Sequence, residues 1–221
     1  VMAYKEKGYL PEAMVNYLVR LGWGHGDQEI FNTVEMQDLF TLEHVGKAPS
    51  KFNLDKLLHL NAHYIKMAEP ARIAELLVPF LAKLGIEEKP TPWTARVVKT
   101  LQERSRTLDE MAAAAEFYFR EKPADPKAAA KFLTPEIAPL LEEIAGEFAG
   151  LSEFDADVEN ALHAVVDRRG GNLKVHQPIR VAITGSAASP DLFDIMRLLG
   201  KDEVVRRLRN AAGRIAASKA P

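Results

Sequence analysis

The sequence contains no cysteine in 221 residues, which excludes disulfides, cysteine-ligated zinc and a thiol nucleophile together. Long apolar runs are missing too. No stretch approaches the roughly 20 residues that a membrane-crossing helix needs, and the first residues lack the basic-then-apolar pattern of a secretory leader. A phosphate-cradling loop is also absent: neither Gly46-Lys47 nor Gly200-Lys201 has a glycine five residues ahead of its own glycine. Charge of one sign is lacking overall, with 29 basic against 31 acidic residues and a net of -2, so composition alone does not mark a nucleic-acid binder. These absences set the expectation of a cytoplasmic chain with no membrane partner.

What is present is enough material for one large or two to three small packed units, 47% hydrophobic and 27% charged. The first informative stretch is Gly8 to Phe31. Pro11 suits a first helical turn, and Ala13, Met14, Tyr17, Leu18 and Leu21 recur at helical spacing to form an apolar stripe. Gly22 ends that helix, and Trp23 is expected to fold back and pin the glycine-rich turn that runs to Asp27. The chain opens with Val1-Met2-Ala3-Tyr4, already helix-like, which suggests a piece of something longer.

A second helix is expected from about Thr33, a loop over Gly46 to Ser50, and a third helix opened by Asn53 or Asp55 with Leu54, Leu57, Leu58 and Tyr64 inward. The stretch Ala68 to Leu84 reads as a helix that Pro79 should kink or split, stopped by Gly85. Thr91 or Thr94 opens the next, whose Val97, Val98, Leu101 and Leu108 form its stripe, with Arg104 at the border. Two prolines within Lys122 to Pro126 mark a boundary. Helices follow at about Lys127 to Leu133, Pro135 to Ala149 and Asp155 to Arg168, opened by Asp125, Thr134 and Ser152 or Asp155, and a turn covers Arg169 to Leu173. The stretch Gln177 to Gly185 has alternating β-branched residues and is predicted to be an extended connector. Ser189-Pro190-Asp191 reads as a helix start with Ser189 at the cap. A last helix, opened by Asp202 and Glu203, runs to about Ala217 and carries Arg206, Arg207, Arg209 and Arg214.

Charge is unevenly placed. From Pro126 to Asp167 there are two basic against nine acidic residues, a net of -7, and from Arg168 to Pro221 eleven against four, a net of +7. Such a field can attract a polyanion, or can simply be a dipolar, solubilising surface. No catalytic constellation is visible. His59 and His63 lie one helical turn apart but lack a third ligand, and Ser186 lacks the flanking glycines of a nucleophile elbow. Binding is better served. Arg104, Arg180 and the basic last helix could reach phosphates or base edges, and Leu192 with Phe193 could form a surface for splayed RNA bases, or plain helix core. Arg104 could equally be a flanking charge paired with Glu103 or Glu110. A helical protein-interaction scaffold is the competing reading, which salt-dependent tRNA binding would separate.

Several segments, in order, resemble bacterial glutamyl-tRNA synthetases: Gly8 to Trp23 followed by His25 to Phe31; Phe52 to Leu57 with Leu60 to Ile65; Arg104-Ser105-Arg106-Thr107-Leu108; and Gln177 to Gly185 with Ser189 to Phe193. The resemblance covers essentially the whole chain. It implies the part of a class I, glutamate-tRNA ligase that follows the second ATP-binding signature, because neither a HIGH-type nor a KMSKS-type motif occurs here. Implied, then, is an all-α chain with a stem-contact region over 1–67 and two helical anticodon-binding subdomains over 68–125 and 126–221. The family positions make Arg104 the inspector of the last anticodon base, with Gln177, Arg180, Ser189, Leu192 and Phe193 around the others. His59 stands where an aromatic is common and Asp191 where a small residue is. The implied partner is glutamate tRNA, bound by a monomer; no metal or cofactor is expected in this chain, with ATP and Mg acting in a catalytic domain it lacks.

Overall fold

The computed structural model describes residues 2–46, 50–171 and 174–217. Among them are thirteen α-helices and two short 3-10 turns, Leu42–His44 and Pro135–Ile137, with no strand beyond isolated bridges. The all-α expectation is met. Contacts divide the chain into two compact units, Val1–Ala114 and Ala115–Pro221. Of the loop and turn read from sequence, Lys47 to Pro49 and Asn172 to Leu173 lie outside the described residues.

The first unit holds α1 (Met2–Glu6), α2 (Pro11–Arg20), α3 (Thr33–Leu39), α4 (Leu54–Met67), α5 (Pro70–Lys83) and α6 (Pro92–Leu101). On α2, Ala13, Met14 and Tyr17 are buried as expected, but Leu18 is 48% exposed and its place in the core is taken by Asn16. The reason is angular and polar together. Residues 13, 16 and 17 share a face, and Asn16 satisfies itself there, accepting the Phe31 amide at 2.7 Å and donating to the Glu29 carbonyl at 2.8 Å. Trp23 does fold back: it is 4% exposed and packs with Phe31 and Met36 against Val19 and Leu39.

Caps read from the sequence are made at α4 by Asn53 and at α6 by Thr91; at α3 the structure adds a reciprocal capping box between Asn32 and Glu35 that the sequence reading did not name. Leu54 corrects another expectation, being exposed in the first turn of α4 while Leu57, Leu60 and Ile65 fill the core. Pro79 does not split α5. Both Pro79 and Glu75, whose carbonyl loses its helical donor, face solvent, where water can replace the missing bond. Leu108 belongs to the next helix, α7 (Leu108–Phe119), leaving Gln102 to Thr107 as a turn.

The division between units falls within α7. The second unit continues with α8 (Pro126–Phe132), α9 (Ala138–Ala149), α10 (Phe154–Arg168), α11 (His176–Thr184), α12 (Leu192–Leu199) and α13 (Lys201–Ala217). Asp125 caps α8 as read, but Thr134 precedes a 3-10 turn without a side-chain cap, and Glu153, not Ser152 or Asp155, precedes α10.

Two larger corrections concern the motif region. Gln177 to Thr184 is helical, not extended: α11 buries Pro178, Ile179, Val181, Ala182, Ile183 and Thr184. Burial on nearly every side removes the helical periodicity and makes a β-branched run look strand-like, while packing overrides the weak intrinsic preference. Gly185 closes α11 at a φ of 76°, and its carbonyl accepts the Asp125 amide at 2.8 Å. Asp191, not Ser189, caps α12, its Oδ1 accepting the Phe193 amide at 2.9 Å and the Asp194 amide at 3.1 Å. Helix α13 packs along α9 and also meets α11 and α12, with Val204, Leu208 and Ala211 buried on one side and Leu141, Ile144 and Phe148 on the other.

Candidate nucleic-acid interface

Arg104 sits exposed in the turn between α6 and α7. A set of buried polar groups holds that turn. Gln102 Nε2 donates to the carbonyls of Ile65 and Ala68, both at 2.8 Å, Ser105 Oγ donates to the Leu101 carbonyl at 2.9 Å, and the Arg104 amide donates to the same carbonyl at 3.1 Å. Asn61 completes the set: its Oδ1 accepts the Leu10 amide at 2.7 Å, and its Nδ2 donates to the Arg106 carbonyl at 2.6 Å and, more weakly, to that of Gly8. A turn pinned by three buried side chains presents its exposed arginine from a backbone with little conformational freedom to lose on binding. Nearby, Glu110 pairs with Arg106 and Glu103 with Lys66, each at 2.7 Å.

The other five candidates come together in the second unit. Gln177 is exposed and Arg180 half-buried, three residues apart and so on one face of α11. Arg180 Nη1 donates to the Pro190 carbonyl at 2.6 Å and to Ser189, through both its hydroxyl and its carbonyl, which ties α11 to the segment entering α12. Leu192 is 2% exposed and anchors α12 from within, the helix-core alternative of the sequence reading. Phe193, its neighbour, is half-buried at that surface.

The basic last helix is mostly occupied internally. Arg207 is 1% exposed, its Nε donating to Glu203 at 2.6 Å and its Nη1 to the carbonyls of Phe117 and Ile183 at 2.7 and 2.8 Å. Glu121 accepts from Arg206, Asn210 and Arg214 at 2.8 to 3.0 Å. Arg206 also pairs with Glu203. The hydrogen bonds of Arg206 foremost, against a smaller opposing effect of burial, and then those of Arg207 hold the Glu203 carboxyl below its ordinary range. Arginines counted as a basic field thus serve as staples, and charge counting could not distinguish the two uses. No group of three or more metal-ligating side chains occurs among the described residues, and no described helix is long and apolar enough to cross a membrane.

Residues 72–212 match the family model described as an anticodon binding domain. The chain belongs to the anticodon-binding domain family. Residues 1–59 match a second model, described as the catalytic domain of class I tRNA synthetases (E and Q). Among curated relatives, the glutamate-tRNA ligase of Geotalea uraniireducens is 50% identical over 96% of this chain and 46% of its own length. Glutamate-tRNA ligase 1 of Syntrophus aciditrophicus is 48% identical over the whole chain and 47% of its own length. A crystal structure of a glutamate tRNA ligase from Elizabethkingia meningosepticum superposes with a TM-score of 0.86 at 28% identity, covering 96% of this chain and 43% of that one. The chain spans about half the length of the curated relatives it matches.

Proposed function

We propose that this chain binds the anticodon arm of glutamate tRNA and acts as part of a glutamate-tRNA ligase, with residues 1–67 contacting the tRNA stem and 68–125 and 126–221 forming two anticodon-binding subdomains. The observation that carries the reading is the anticodon-binding family match over residues 72–212; the rigidly held Arg104 turn and the surface of Gln177, Arg180, Ser189 and Phe193 support it. In this reading Arg104 offers two donors to the last anticodon base, and Arg180 holds the Ser189-Pro190 segment against which the remaining bases lie. Leu192 contributes by fixing the start of α12. The mechanism is positional: grip on the anticodon aligns the distant acceptor end with a catalytic region that uses ATP and Mg, whose two signature motifs do not occur in these residues. The chain alone is then inactive, monomeric and cytoplasmic.

The test is binding of the purified chain to glutamate tRNA and to an unrelated tRNA across a salt series. Preference for glutamate tRNA at low salt, weakening as salt rises, is the expected outcome. Absence of any preference at low salt would sink the reading and leave a helical protein-interaction scaffold in its place.

A further inference from the structure

Three rings from three helices meet at the surface of the second unit. Phe193, in the first turn of α12, lies 5.9 Å from the His176 ring at the first position of α11 and 6.5 Å from the His163 ring on α10, with interplanar angles of 87° and 76°. Both imidazoles are exposed and the phenyl ring is half-buried. No sequence motif joined these residues, since the histidines are thirteen positions apart on separate helices and only the helical form of α11 places His176 beside Phe193.

We propose that His163 and His176 form, with Phe193, a stacking platform for unpaired bases of a single-stranded RNA loop. The inference rests on the anticodon-binding reading and adds two residues to its surface. Edge-to-face packing fixes the rings relative to one another while leaving imidazole surface open to solvent, and ring faces held this way take up bases with little regard to sequence. The immediate surroundings suit bases better than phosphates. Asp191 already occupies the Phe193 and Asp194 amides, so the start of α12 has a carboxylate where an anion would otherwise sit. Arg197 takes up Glu159 and Asp194 at 3.6 and 3.5 Å, which tempers two of the acidic groups flanking the rings. Gln177, adjacent to His176 and exposed, adds an amide that can bond a base edge.

The test uses the whole chain and a fluorescently labelled hairpin RNA bearing the glutamate anticodon loop, read by anisotropy at low salt, with His163→Ala, His176→Ala and the ring-preserving His163→Phe and His176→Phe. Each alanine variant should bind about fivefold or more weakly, the phenylalanine variants should stay near wild type, and all four should melt at the wild-type temperature because both positions are exposed. Alanine variants that bind like wild type overturn the platform and leave the anticodon reading standing. Phenylalanine variants as weak as the alanine ones also overturn it, since a ring face would then be insufficient. A wild-type chain that binds no hairpin at all overturns both.

Discussion

Asn61 Nδ2 donates to the carbonyl oxygen of Arg106 at 2.6 Å, so the middle of α4 holds the turn that displays Arg104. The same side chain accepts the Leu10 amide and reaches the Gly8 carbonyl. Asn61→Ala should therefore lower stability by about 2–4 kcal/mol, because a buried donor and two carbonyls lose their partner at once. Urea denaturation measures it; a change under about 0.5 kcal/mol would show that the Arg104 turn stands without this clamp.

At the turn itself, Arg104→Gln should leave overall stability unchanged, since the side chain is exposed. Its expected effect is on selectivity. Affinity for hairpins differing only in the last anticodon base should converge, losing about 1–3 kcal/mol of discrimination if two arginine donors read that base. Undiminished discrimination would remove the role from Arg104.

Gly185 makes a contrasting prediction. It adopts a φ of 76°, and a Cβ there would stand 2.8 Å from the Pro123 carbonyl oxygen. Gly185→Ala should destabilise the chain by about 2 kcal/mol or more, combining left-handed strain with a backbone clash that no rotamer change relieves. A melting temperature equal to wild type would contradict this geometry.

The Glu203 carboxyl, held low by Arg206 first and Arg207 after, sets a pH dependence. A folded-state value below the unfolded one, ordinarily about 4.3 for glutamate, gives stability that is complete above the unfolded value and is lost as pH falls through the folded one. Stability should drop as pH falls below about 4.3, and Glu203→Gln should flatten that part of the profile while lowering the neutral plateau. Parallel profiles for the two proteins would show that Glu203 contributes nothing to acid sensitivity.

Much of the helical order was legible because its signals are local. Pro11, Asn53, Thr91 and Asp125 begin helices by chemistry confined to one turn, and each does so in the structure. What escaped depends on residues far away. α11 looks like a strand until its surroundings bury it, Leu18 and Leu54 look like core until Asn16 and the α4 register displace them, and Arg207 looks like a surface cation until the Phe117 and Ile183 carbonyls enclose it. The candidate site divides the same way. Arg104 and Arg180 stand out by residue type within a motif, whereas His163 and His176 acquire significance only through a neighbour brought to them by folding.

The position of α13 has a consequence for how the second unit is made. Its side chains close the core against α9, satisfy Glu121, and supply the guanidinium that bonds the Phe117 and Ile183 carbonyls. A ribosome delivers the earlier helices first, and until Arg207 and Arg214 emerge those helices lack the element that joins them. The second unit should thus consolidate late and all at once during synthesis, with α9 exposing its apolar face to solvent or to a chaperone in the interval.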